Sequence, residues 1–110
     1  MNKFEIIAKL DKDDKIIYAK AKVTENILKE PIINNYYFFC GVRTSNVKSF
    51  FINSNKLTIH TENSKYICWI DILDNINLFV KKNNLPEVKK LNDNIMYWGF
   101  DERISTYIIF

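Results

Sequence analysis

A chain of 110 residues is long enough for one domain with a substantial core and too short for two. Hydrophobic residues at 47% against 26% charged ones exclude intrinsic disorder, and 15% aromatics favour strands that bury large apolar side chains. The net charge of +3, from 16 basic and 13 acidic residues, is too mild for a dedicated nucleic-acid binder, and the arginines that would form bidentate phosphate contacts are only Arg43 and Arg103.

From the N-terminus, Phe4, Ile6, Ala8 and Leu10 alternate with Glu5 and Lys9. Beyond the charged tip at Asp11 to Asp14, Ile17, Ala19, Ala21 and Val23 alternate with Lys20 and Lys22. Period-two alternation on both sides of a polar tip predicts a β-hairpin. The competing reading is a helix from Lys15 to Glu30, capped by Asp13 or Asp14 and stopped by Pro31. The hairpin is preferred, with Thr24 to Glu30 as a short helical turn before the proline.

Four aromatic and β-branched runs follow, NYYFFCGV, SFFI, KLTIHT and KYICWI, separated by the polar connectors RTSN, NSN and TENS. Short polar links between such runs predict an antiparallel meander. In the last run Tyr66, Cys68 and Ile70 face one way and Ile67 and Trp69 the other, so both faces are apolar and the strand is covered on two sides. At Ile72 the period changes, and apolar residues at 72, 73, 76, 79 and 80 mark an amphipathic helix. Asp71 is the expected N-cap, with Asp74 near the positive end of the helix dipole and Lys81 and Lys82 near the negative end. Asn83, Asn84 and Pro86 end it. Leu78 falls on the polar face of this helix.

A polar link follows in which Val88 and Leu91 support another turn. The chain then closes with a second hairpin, NIMYWGF and RISTYIIF around Asp101 and Glu102. Placing Phe100 opposite Ile104 sets Trp98 against Thr106 and Tyr97 against Tyr107. The sum is one α+β domain spanning residues 1–110, with a mainly antiparallel, strongly curved sheet of about six to eight strands, open or barrel-like, and one main helix packed on it.

The first residues interleave charges with apolar side chains and form no signal-peptide core, and no segment approaches the roughly 20 apolar residues of a membrane span. A cytoplasmic location is expected. In that compartment Cys40 and Cys68 are expected as buried thiols, not a disulfide.

Catalytic chemistry finds little support. Gly41 and Gly99 are the only glycines, so no P-loop or dinucleotide fingerprint exists. One histidine, His60, on the outward face of its strand, and two distant cysteines do not form a zinc spacing or a recognisable nucleophile motif. The carboxylate pairs Asp13–Asp14 and Asp101–Glu102 read as solvated turns, unlike the cleft acids of a glycosidase. Lys81, Lys82, Lys89 and Lys90 form the densest basic group, read first as helix-end and loop charges. No cofactor, metal or catalytic residue is assigned, and the protein is expected not to be an enzyme.

In size, build and lack of catalytic motifs the chain is similar to bacterial immunity proteins that neutralise a cognate toxin, and to phage-encoded inhibitors. The similarity is one of profile, covers no motif and carries no residues across. It implies a non-enzymatic binding or inhibitor protein whose partner is another protein, such as a cognate toxin. The alternative is a small-barrel nucleic-acid-binding module. The residues nominated for partner binding are Leu78, Tyr97, Tyr107, Asp101, Glu102 and Arg103, since interfaces favour Tyr and Arg together with exposed apolar side chains.

Overall fold

The computed structural model describes residues 3–85, 97–104 and 106–108. The fold is α+β. Among the described residues seven antiparallel strands run in the order β5 (Val47–Asn53), β6 (Lys56–Thr61), β7 (Lys65–Ile72), β1 (Lys3–Leu10), β2 (Ile16–Thr24), β8 (Tyr97–Asp101) and β9 (Thr106–Ile108), and β3 (Phe38–Phe39) and β4 (Val42–Arg43) form a separate two-stranded ribbon. The large sheet ends in edges at β5 and β9 and is open.

The first hairpin forms as the alternation predicts. Strand β1 (Lys3–Leu10) pairs with β2 (Ile16–Thr24), Ile6 opposite Ala21 and Ala8 opposite Ala19. The tip is held by Asp11, whose Oδ1 accepts the amides of Asp13 and Lys15 at 2.8 and 3.0 Å, while Asp14 turns the chain at φ 61°. After Thr24 the chain is extended and irregular, and the expected helical turn up to Glu30 is absent. Thr24 Oγ1 accepts the Asn26 amide at 3.0 Å, a side-chain turn that takes up a backbone donor before any helix can use it.

NYYFFCGV is not one strand. The chain reverses within it, giving β3 (Phe38–Phe39) and β4 (Val42–Arg43), with Cys40 at φ 51° and Gly41 at φ 72° between them. Two successive left-handed residues make the tight twisted turn that a two-residue hairpin needs. The meander follows as predicted: β5 (Val47–Asn53), β6 (Lys56–Thr61) and β7 (Lys65–Ile72) pair in sequence, and β7 then pairs with β1.

That pairing corrects the helix start. The β1–β7 ladder continues to Lys3 opposite Ile72, so α1 (Leu73–Lys82) is capped at Ile72, without a side-chain cap, and not at Asp71. Asp71 Oδ1 instead accepts from the Ile72 amide and from Asn75 Nδ2, both at 2.8 Å. The far end is a Schellman cap, with Asn84 at φ 54°, its amide on the Lys81 carbonyl, and the Leu85 amide on the Val80 carbonyl, each at 3.1 Å.

β1 is buried along almost its whole length because both faces of the sheet centre are covered. On one face Phe4, Ile6, Ala8, Ala19, Ala21 and Trp69 pack against Ile76, Val80 and Leu85, and Phe79 meets the Trp69 ring edge-on at 4.8 Å. The small alanines let the helix approach the sheet closely. On the other face Ile7, Leu57, Ile59, Tyr66 and Cys68 lie beneath Tyr37, Phe39, Cys40 and Val47. Cys40 and Cys68 are both free and buried, as expected.

In the last hairpin β8 (Tyr97–Asp101) pairs with β2, and β9 (Thr106–Ile108) with β8. A 3-10 turn at Glu102–Ile104 lengthens the connection, so Phe100 pairs with Tyr107 and Asp101 with Thr106, in place of the predicted Phe100–Ile104 register. Val88, Leu91, Lys89 and Lys90 lie outside the described residues.

Candidate docking surface

Among the nominated residues whose side chains are described, Leu78 does not share a surface with Asp101, Glu102 and Arg103. Leu78 is 62% exposed on the outer side of α1. Asp101, Glu102 and Arg103 sit across the sheet, at the end of β8. Tyr97 is registered opposite Lys22 and Tyr107 opposite Phe100, and they are placed by the backbone alone.

Asp101 is not in a solvated turn. It is buried, and the Arg103 guanidinium grips its carboxylate through Nη2 to Oδ2 at 2.6 Å and Nε to Oδ1 at 3.0 Å. That fork, reinforced by the Arg103 amide, holds the carboxyl below its ordinary value. Glu102 pairs with Lys15 at 2.7 Å, tying the two turns at this end of the sheet together. Asp101 and Arg103 line a cleft of about 340 Å³ with Lys9, Tyr18, Arg43 and Tyr66. Burial raises the Tyr18 hydroxyl above its ordinary value, so it stays protonated. His60 is half-buried, not outward, and shares its face with buried Thr58.

A second cleft, of about 270 Å³, opens on the other side of the β3–β4 turn, among Glu5, Lys22, Lys29, Tyr37, Cys40 and Phe38. Glu5 is buried, with Lys22 Nζ at 3.7 Å. Burial holds its carboxyl above the ordinary value, partly offset by Lys22 and Thr24. The Cys40 thiol donates to the carbonyls of Glu5 and Lys20, at 3.5 Å each, and burial pushes it up to about 12. Burial raises the Cys68 thiol further still. Burial thus favours the protonated thiol at both positions.

The largest exposed apolar side chains concentrate between Thr24 and Arg43: Ile27 at 75%, Ile32 at 68% and Phe38 at 64%, with Ile33 and Tyr36 also exposed. This stretch is pinned. The Asn34 amide donates to the Val47 carbonyl and the Val47 amide to the Asn35 carbonyl, both at 2.8 Å, fixing the loop to the start of β5. Tyr37 is buried between exposed neighbours. Its hydroxyl donates to the Lys29 carbonyl at 2.6 Å, and its amide to Thr44 Oγ1 at 2.9 Å. The Arg43 guanidinium stacks 4.0 Å over the Tyr36 ring. The stretch that carries these five exposed apolar residues is thus tied down by hydrogen bonds at Lys29, Asn34, Asn35 and the buried Tyr37.

None of these five was singled out from the sequence. The signal was present in the alternation of Tyr36 and Phe38 with Tyr37 and Phe39, but with aromatic side chains on both faces the pattern does not say which face stays exposed. No family model, curated protein or solved structure matches the chain. Among the described residues no helix is long and apolar enough to cross a membrane, and no group of His, Cys, Asp and Glu is placed to hold a metal ion.

Proposed function

We propose that the protein is a non-enzymatic binding protein that docks on another protein through its Thr24–Arg43 loop, in the manner of an inhibitor that neutralises a toxin. The observation that carries this reading is that the segment exposing Ile27, Ile32, Ile33, Tyr36 and Phe38 is itself anchored by the hydrogen bonds of Lys29, Asn34, Asn35 and Tyr37. Exposed apolar side chains on a mobile loop lose affinity to ordering, whereas a pinned loop has met that cost in folding. Ile27 and Phe38 also share the rim of one cleft, and exposed apolar surface of this kind is a usual mark of an interaction site. The inert thiols and the paired carboxylates support binding over catalysis.

The nucleic-acid alternative draws on the basic side chains around the two clefts. It is the weaker reading because Arg103 is occupied by Asp101, and Lys22 lies against Glu5. The test is co-purification of tagged protein from its native host, comparing wild type with Phe38→Asp and Ile27→Asp. A protein partner retained by wild type and lost by both variants, with unchanged circular dichroism, is the expected result. Equal retention by all three overturns the assignment of the loop. Retention of single-stranded DNA or RNA that falls steeply with salt, with no protein partner, favours the alternative.

A further inference from the structure

We infer that the free edge of β5 pairs with β5 of a second copy, joining two sheets into one across a two-fold axis at Phe51. Among the described residues β5 has a strand on one side only, and its residues from Lys48 to Asn53 are exposed apart from half-buried Phe50. The edge lacks the usual protections against pairing. Between Ser49 and Asn53 there is no proline, no charge and no bulge, and Phe51 and Ile52 are each 53% exposed. The bulge lies earlier, between Val47 and Ser49, and the only charge, Lys48, is paired with Glu62 at 3.1 Å.

The hairpin sets the register. Asn53 and Lys56 close a two-residue turn and exchange hydrogen bonds, so Phe51 also bonds inward, to Thr58, and the backbone groups of Phe50 and Ile52 point out along the edge. An antiparallel copy satisfies these groups when Phe50 of one chain pairs with Ile52 of the other. Phe51 then meets its own copy at the axis as a non-hydrogen-bonded pair, the closest side-chain arrangement in a sheet. Only apolar residues meet at the centre, and each Lys48 lies opposite Ser54 of the other copy, so no like charges face one another. The length also fits. Asn34 and Asn35 occupy the edge at Val47, where the incoming strand reaches its own turn at Ser54 and Asn55. The inference does not rest on the loop proposed above to bind a partner, although Asn34 and Asn35 of that loop border the end of the contact.

The contact is small, so association is weak and appears with concentration. Sedimentation from about 10 μM to about 1 mM spans the affinities expected of such an interface. Wild type is expected to shift from monomer to dimer over that range. Ile52→Pro removes an outward amide and leaves the β5–β6 bonds in place, so it should remain monomeric. Phe51→Cys places two thiols across the axis at a spacing compatible with a disulfide, whereas the native cysteines are buried. It should cross-link at least about tenfold faster than Phe38→Cys, a surface thiol of similar exposure away from the axis. A wild type that is monomeric throughout, a dimer that survives Ile52→Pro, or equal cross-linking at Phe51→Cys and Phe38→Cys overturns the proposal. If Ile52→Pro does not fold, sedimentation of wild type and the cross-linking ratio decide.

Discussion

Tyr37→Phe removes one atom, the hydroxyl that donates to the Lys29 carbonyl at 2.6 Å. Burial pushes that hydroxyl up to about 12, so it is a donor at every pH of interest. The ring remains packed, and the loss is that of a single hydrogen bond, about 0.5 to 1.5 kcal/mol. Lys29 is exposed, so water can reach the vacated carbonyl, which holds the loss near about 1 kcal/mol. An opening made easier by about 1 kcal/mol is populated about fivefold more, and amide exchange through it accelerates by the same factor. The reporters are the amides of Asn34 and Val47, whose hydrogen bonds break when the loop lifts. The Asn83 and Asn84 amides, at the end of α1 on the opposite face, open without disturbing the loop and should exchange at wild-type rates. Affinity for the partner should fall although Tyr37 itself is buried. Unchanged exchange at Asn34 and Val47 would show that the hydroxyl does not pin the loop, and equal acceleration at Asn83 and Asn84 would show a loss of fold and not of anchoring.

Ile76 is fully buried against the sheet, and Ile76→Ala should cost about 2 to 5 kcal/mol in urea unfolding, whereas exposed Leu78→Asp should stay within about 0.5 kcal/mol. Comparable losses for both would place the helix in the wrong phase. Glu5 has a raised carboxyl pKa in the folded state, so its contribution to stability is complete below its ordinary value of 4.5 and is lost as pH rises through the raised one. The stability of Glu5→Gln relative to wild type should therefore increase between about pH 4 and pH 7, and a flat or falling difference in urea titrations would contradict the burial effect. Cys40 and Cys68 should react with a thiol reagent only on unfolding, and a fast native phase would show that one of them is accessible.

The sheet was legible wherever local pattern decides structure. Alternation in Phe4 to Val23 gave the first hairpin, and the change of period at Ile72 gave the helix, because each segment packs through a single repeating face. Sequence reasoning failed where a tertiary pairing or a side-chain hydrogen bond overrode the local signal. Asp71 has the chemistry of an N-cap, but the ladder with β1 keeps the chain extended through Ile72. Cys40 takes a left-handed conformation that its side chain does not favour, so the reversal inside NYYFFCGV had only Gly41 to announce it. Asp101 reads as a turn residue until the proximity of Arg103 is known. The docking loop was missed for a related reason, since exposure of Phe38 and burial of Phe39 depend on which sheet face the ribbon covers.

The strand order also governs how the chain is assembled. Strands β5, β6 and β7 form one local set and β1, β2, β8 and β9 another, and among the described residues the two sets are joined as a sheet only where β1 pairs with β7, from Leu10 with Lys65 to Lys3 with Ile72. The first hairpin is flanked by β7 on the β1 side and by β8 on the β2 side, so neither of its edges is paired until strands from much later in the sequence arrive. Closing so long a loop is entropically costly and slows folding relative to a helical protein of this size. Until then both edges of the hairpin are open to wrong pairing: β1 is protected once β7 arrives, and β2 only when β8 follows.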